Sequence, residues 1–392
     1  MPDPGRAQHQ LKSVQALRAL AALFVVGFHC TLLLHDNFNR DVTPWNNGNA
    51  GVDLFFVISG FIMIVSSRSL ARQADGWRRF IWLRVVRIVP MYWLSTLTKL
   101  ALVVAIPELA RHTYPTTWNT IASFLFIPSL DGMGVARPVL AVGWTLSFEM
   151  FFYIAFAAAL YFAIDAVIAV GLLMVVLSLV SLTAQPDWPT FTNLASPFLL
   201  EFVFGMIVGR VFLQKRFDGA PPLLAILIGV AGLAGLAVLP ADGGWQRATI
   251  WGGAACVTLC GALMAERWLG QRLPKLPTET GEASYSLYLT HGFILPVIGV
   301  ALGKSGLTGL ALGVVLTVTG VVFSVVVALV VFSAVEAPIT NRLRALVHGR
   351  KKVATLASQS VAGLSETVGG LSDAISPLSR TVTPGGKPPA TP

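Results

Sequence analysis

Charge is scarce in this chain. Asp, Glu, Lys and Arg make up 12% of its 392 residues, against 55% hydrophobic. A soluble domain carries about twice that share of charge, so a water-soluble globular enzyme is excluded. Cysteine is scarcer still. Cys30, Cys256 and Cys260 are too few for a disulfide scaffold. Cys256 and Cys260 are four apart on one face of a predicted helix, without the His or carboxylate neighbours a metal site needs, so they read as small buried hydrophobes. No metal is expected. The opening MPDPGRAQHQLKS has no small-residue cleavage site before the first apolar run, so that run is expected to be retained. The paired, interrupted helices of inverted-repeat transporters are also not evident.

What is abundant is apolar sequence in lengths that cross a bilayer, about 20 residues each. Hydropathy predicts ten spans, at 14–34, 51–66, 88–106, 144–164, 166–183, 197–213, 223–239, 248–266, 283–302 and 307–334. The apolar segment 119–130 is too short to cross and is expected to be interfacial or re-entrant. The fold class is therefore an all-α integral membrane protein, with a transmembrane domain over 1–352 and a low-complexity tail over 353–392. The tail is rich in Ser, Thr, Gly and Pro and is expected to be disordered. A stripe at Val361, Leu364, Val368, Leu371, Ile375 and Leu378 has heptad-like spacing, weakened by Gly363, Gly369 and Gly370.

Placing both termini in the cytoplasm puts all but seven of the 28 Lys and Arg residues on the inner side. The seven are Arg40, Lys99, Arg111, Arg137, Arg210, Arg247 and Lys304. This is the positive-inside pattern, and it accounts for the net charge of +9 without a nucleic-acid partner. The expected location is a membrane that the chain crosses many times, with both termini on its inner side.

Ionisable residues within spans are costly and are functional candidates by default. They are His29, Asp53, Lys99, Glu149, Glu201, His291 and, at an inner end, Glu336. Arg18 and His29 are eleven apart, three helical turns, so they share a face about 16 Å apart along the axis. An imidazole near its ordinary pKa can move a proton at cellular pH, and a carboxylate can orient it. Glu149 and Asp53 are the two candidates, and spacing does not choose between them. Lys99 and Glu201 read equally as an ion pair or as cavity residues. Glu336 reads as a cap or a partner of an arginine. Asn46, Asn47 and Asn49, beside Trp45 in an outer loop, have a composition able to touch a sugar but equally common in loops.

A second cluster is RRFIWLRVVRIVPMYW, in which Arg84 and Arg87 share a helix face. Planar guanidinium groups suit phosphates, although the same cluster also serves to anchor topology on anionic lipid. A phosphate-bearing donor inside and a base nearer the outside would be a coherent transfer device. A proton-coupled transporter or flippase-like carrier, with His29, Asp53 and Glu149 as relay, and a non-catalytic scaffold acting through the tail are the other classes.

The residues also resemble a known family, the membrane acyltransferase 3 proteins. Arg18, ten residues and His29 fit its first-helix pattern. GNAGVDLFFVISGFIM (Gly48–Met63), RVVRIVPMYW (Arg84–Trp93), GWTLSFEMFFY (Gly143–Tyr153), ASYSLYLTHG (Ala283–Gly292) and VEAP (Val335–Pro338) are similar to its later elements, in order, over about 11–340. Thr145 stands where Ser is frequent. The resemblance is to the sugar O-acyltransferases, and in wording to the exopolysaccharide, succinoglycan O-acetyltransferase-like branch.

It implies ten helices and an acyltransferase of groups other than aminoacyl groups. It implies no bound cofactor, and acyl-CoA, in this branch acetyl-CoA, as the donor substrate. It also implies a polysaccharide or lipid-linked sugar acceptor, with membrane lipids and polysaccharide-synthesis proteins as further partners. His29 is implied as catalytic and Arg84 and Arg87 as donor contacts; the reading of the residues adds Glu149 or Asp53 behind His29, Arg18 as a further donor contact, and Trp144, Ser147, Tyr153, Tyr285 and His291 as supporting residues. The extra C-terminal hydrolase-like domain of some relatives has no counterpart in the tail.

Overall fold

A computed structural model describes residues 11–107, 113–185 and 187–346. The described residues are mostly helical, with no strand beyond an isolated bridge between Leu130 and Ala136. In chain order the helices are α1 (Lys12–Asn37), α2 (Ala50–Ser67), α3 (Gly76–Ala105), α4 (Thr117–Phe124), α5 (Trp144–Tyr161) and α6 (Ala166–Val180). They continue as α7 (Leu199–Leu213), α8 (Pro222–Val238), α9 (Gly244–Leu269), α10 (Lys275–Glu282), α11 (Ser284–Leu302) and α12 (Gly309–Val331). A π-helical turn, Phe332–Glu336, follows α12.

Among the described residues nine helices are long and apolar enough to cross a membrane. Each coincides with one of the ten predicted spans. The remaining span is α8, an apolar helix of 17 residues that no flanking helical turn extends. The segment 119–130 forms the short α4 and a loop rather than a crossing helix. The chain forms one compact unit through Ile339. Thr340 begins a second unit, of which 340–346 are described and helical. The expectations for the tail from 353 lie outside the described residues.

The largest departure is α3, which begins at Gly76 rather than 88. Arginine is a good helix former, and its apolar stem lies along a helix while the charge stays at the polar end. The arginine-rich stretch therefore continues the helix that hydropathy alone begins after the last charge. At 30 residues α3 is about 45 Å long, longer than the hydrocarbon layer of about 30 Å. Large side chains such as Leu310, Val104 and Leu223 are strongly exposed, as lipid-facing surfaces require.

The centre is held by close backbone approach. A Cβ on Gly205 of α7 would lie 1.9 Å from the Val57 carbonyl oxygen of α2, and one on Gly60 would lie 2.2 Å from the Phe202 carbonyl oxygen. Small residues spaced along a helix allow such contact where lipid supplies no hydrophobic drive between helices. Phe56, Phe152 and Phe202 stack beside the seam, with ring centroids 4.7 and 4.5 Å apart. This packed seam fixes α2, which forms one wall of the cavity described next.

Candidate active site

A cavity lies between α1, α2, α3, α5 and α11, its empty space together with its open mouth amounting to about 720 Å³. Arg18, Arg84 and Arg87, from two different helices, all line it. Arg18 is buried and donates from Nη2 to Ser284 Oγ at 2.8 Å. Arg84 donates from Nη2 to Ser66 Oγ at 2.7 Å. Its guanidinium also lies over the rings of Phe80 and Tyr153, 5.4 and 5.7 Å from their centroids, within cation–π range. Neutral hydroxyls of Ser284 and Ser66 thus position Arg18 and Arg84 at the cavity wall, where planar guanidinium groups suit an anion.

Glu149 lies in the same cavity. Its Oε1 accepts from Ser59 Oγ at 2.9 Å and also from the Tyr153 hydroxyl. Tyr285 donates to the Ile88 carbonyl at 2.8 Å, tying α11 to α3. The remaining wall is apolar, from Val52, Phe55, Ile62 and Met63. One end is closed by Thr145 and Tyr288, whose hydroxyls are 3.0 Å apart. The cavity therefore combines a cationic region with a narrow apolar one, and can hold a molecule with an anionic head and a flexible, mostly apolar arm.

His29 does not line this cavity. It lies beyond Tyr288, through His291: the His291 ring is 6.0 Å from that of Tyr288 and 4.8 Å from that of His29. His29 Nδ1 is 2.8 Å from the Val25 carbonyl oxygen. A carbonyl only accepts, so Nδ1 carries the proton and the neutral ring keeps its lone pair on Nε2. His291 is held likewise by Leu287, at 3.1 Å, and is fully buried.

Neither expected carboxylate hydrogen-bonds His29. Asp53 is fully buried and takes Arg247 in two-point fashion, with Nε 3.0 Å from Oδ1 and Nη2 2.8 Å from Oδ2. Glu149 is engaged by Ser59 and Tyr153. The expectation of a carboxylate on the imidazole is corrected accordingly: the groups holding His29 are a backbone carbonyl and the His291 ring. Arg247 is the residue that sequence reasoning left among the outer cations. The signal available was Asp53 itself, since a carboxylate within a span needs a buried cation. Arg247 also lies over Phe198 and Trp251.

Other expectations are placed as follows. Trp144 packs against Phe56, Phe148 and Phe198 rather than into the cavity, and Ser147 is buried outside its lining. Lys99 and Glu201 form no ion pair among the described residues; Glu201 is fully buried beside Asp53 and Arg247. Glu336 accepts from Ser286 Oγ at 2.6 Å and lies within electrostatic reach of Arg87 and Arg18. Asn47 donates to the Leu236 and Leu239 carbonyls, so it caps the end of α8. Among the described residues no cluster of His, Cys, Asp and Glu is able to hold a metal.

Residues 11–333 match the acyltransferase domain of the acyltransferase 3 family. The chain belongs to this family. It is 35% identical over 326 residues to the exopolysaccharide production protein ExoZ of Rhizobium meliloti, covering 80% of this chain and 95% of that one. It is 25% identical over 334 residues to the acyltransferase MdmB of Streptomyces mycarofaciens, covering 73% and 79%. A shorter match, 27% over 162 residues, is to the peptidoglycan O-acetyltransferase OatA of Listeria monocytogenes, covering 38% of this chain and 24% of that protein. No solved structure matches the chain. The protein is thus an acyltransferase with multiple membrane-spanning helices, and the cavity and the two histidines lie within the family's domain.

Proposed function

We propose that this acyltransferase moves an acetyl group from cytosolic acetyl-CoA to a hydroxyl of an exopolysaccharide sugar, in a bacterial cytoplasmic membrane. The observation that carries the reading is the convergence of Arg18, Arg84 and Arg87 on a single cavity that also has an apolar stretch from Val52, Phe55, Ile62 and Met63. The phosphates of coenzyme A suit the arginines, and its pantetheine arm suits the apolar stretch. The names of the relatives, an exopolysaccharide production protein and a peptidoglycan O-acetyltransferase, support a glycan acceptor.

In the proposed reaction His29 Nε2 takes the proton from the sugar hydroxyl as its oxygen attacks the thioester carbonyl. The carbon–sulfur bond breaks, the acyl group passes to the sugar oxygen, and the proton on His29 returns to the departing thiolate. Tyr288 lines the cavity and neighbours His291, which neighbours His29, so the thioester passes the Tyr288 ring to react.

The test is acetyl transfer from labelled acetyl-CoA to purified exopolysaccharide by the full-length protein in detergent. His29→Ala is expected to remove transfer while the protein still elutes as a folded species; undiminished transfer would overturn the role. Arg87→Ala is expected to raise the donor KM about tenfold, the loss of one charge-assisted contact. A change in membrane insertion alone would instead assign Arg87 to anchoring.

A further inference from the structure

Gly292 has none of the usual reasons to be glycine. It lies inside α11, where glycine is a poor helix former. Its φ is not positive, and a Cβ on it would meet nothing within 4 Å. Gly205 and Gly60 differ, since a Cβ on either would strike a carbonyl of the facing helix. Gly292 is exposed although Tyr288, Leu289, His291 and Leu295 around it are buried. A glycine that neither backbone conformation nor packing requires suits the close approach of a ligand to the backbone.

Helical phase sets the direction of this space. Tyr285, Tyr288 and Gly292 follow at spacings of three and four, so they form one stripe on α11. The two tyrosines line the arginine cavity, and Gly292 continues their stripe by one turn past Tyr288. The lipid flank lies elsewhere: Val297, 52% exposed, is five residues on and so about 140° round the axis. On α1, His29 likewise continues the face of Arg18, which lines the cavity. His29, unlike the fully buried His291, keeps part of its surface open. Tyr288 is held between them, donating to the Val142 carbonyl at 3.1 Å with the Thr145 hydroxyl 3.0 Å away. It is a partition, with the arginines on one side and Gly292 and His29 on the other.

The backbone at Gly292 is polar as well. Pro296 lies inside α11 and has no N–H, so the helical bond that would end on the Gly292 carbonyl is missing. At membrane depth such a carbonyl is tolerated where it is buried in protein or lines a water-filled space, and not against lipid. Gly292 is exposed, so the water-filled space is the case that applies.

We infer that the space over Gly292 is a water-filled opening on the side of Tyr288 away from the arginines, that the saccharide acceptor reaches His29 through it, and that Gly292 keeps it wide enough for a sugar. The inference rests on the glycan-acceptor reading. The first test treats Gly292→Cys in oriented membrane vesicles with a charged, impermeant methanethiosulfonate, which reacts in water and not in lipid. The wild type is the blank for Cys30, Cys256 and Cys260. Reaction is expected from the membrane face opposite the arginine-rich start of α3. No reaction above the blank, or reaction only from the arginine side, overturns the opening.

The second test is the transfer assay on the full-length protein. Gly292→Ala, whose methyl meets nothing, is expected to keep both KM values within about twofold, and Gly292→Leu to raise the acceptor KM about tenfold with the donor KM as in the wild type. Leucine is the better helix former, so this substitution tests space rather than helix stability. An unchanged acceptor KM in Gly292→Leu, or a rise in the donor KM alone, overturns the role of Gly292. Where Gly292→Leu does not elute as a folded species, Gly292→Cys carries the kinetic test: transfer is expected before the reagent and not after it, and transfer retained after full labelling overturns the role. Labelling from the expected face in a protein that transfers nothing to polysaccharide upholds the opening and overturns the glycan-acceptor reading.

Discussion

Asp53 and Arg247 show how much at the residue scale depends on partners distant in sequence. They are 194 positions apart, and their side chains are 0% and 13% exposed. Removing one partner of a buried pair leaves a charge uncompensated, at about 3–5 kcal/mol, whereas replacing both with apolar groups is often neutral. Arg247→Ala is therefore expected to lower the melting temperature in detergent sharply, and Asp53→Leu combined with Arg247→Met to recover most of the loss. A double substitution as unstable as the single one would show that the ions contribute more than mutual neutralisation.

Asp131 makes a different prediction. Its burial works against the ionised form, but the Val135 and Met133 amides and Arg137 outweigh it and hold the pKa below the usual 3.8. A depressed pKa contributes stability above the unfolded value, lost as pH falls through the folded one. Exchange of the Met133 and Val135 amides should stay slow as pH is lowered to about 3.8 and accelerate only below it. In Asp131→Asn the acceleration should disappear, and an unchanged pH profile in that variant would dissociate the carboxylate from the loop's order.

At the scale of elements, the helices were legible because lipid leaves the backbone no alternative to internal hydrogen bonding, and long apolar runs announce it. Boundaries were less so. The start of α3 was missed by twelve residues, since hydropathy scores arginine by its charge and not by its helix preference or its stem. The seam between α2 and α7 was not legible either: Gly205 and Gly209 show small-residue spacing, but nothing in it names Val57 as the surface they meet. Gly205→Leu is expected to destabilise the folded protein by about 3 kcal/mol, seen as a lower melting temperature and a loss of monodisperse elution. An unchanged melting temperature would mean the two helices separate without penalty.

On the scale of the whole molecule, Arg18, Arg84, Arg87 and Glu149 meet in one cavity although the chain between the first and last spans 131 residues. Depth along the spans foretold that the arginines lie towards one end. It did not foretell that His29 stands behind Tyr288, because rotation about a helix axis is set by packing and not by span order. The charge asymmetry predicts orientation: Arg72→Cys should react with an impermeant thiol reagent only from the cytoplasmic side, and the exposed Met133→Cys only from the outer side. Labelling of both from one side would overturn the assigned topology.

The π turn before Ala337 connects a single residue to this larger arrangement. A π turn accommodates one residue more than an α turn, and one residue is about 100° of helical phase. Were Phe332–Glu336 wound as an α-helix, Glu336 would point about that far from Ser286, and α11 and α12 would lose the 2.6 Å bond between them. Deleting a single residue from 332–335 is therefore absorbed where it falls, because the turn closes as an α turn and leaves the Glu336 carboxylate on the same side of the bundle.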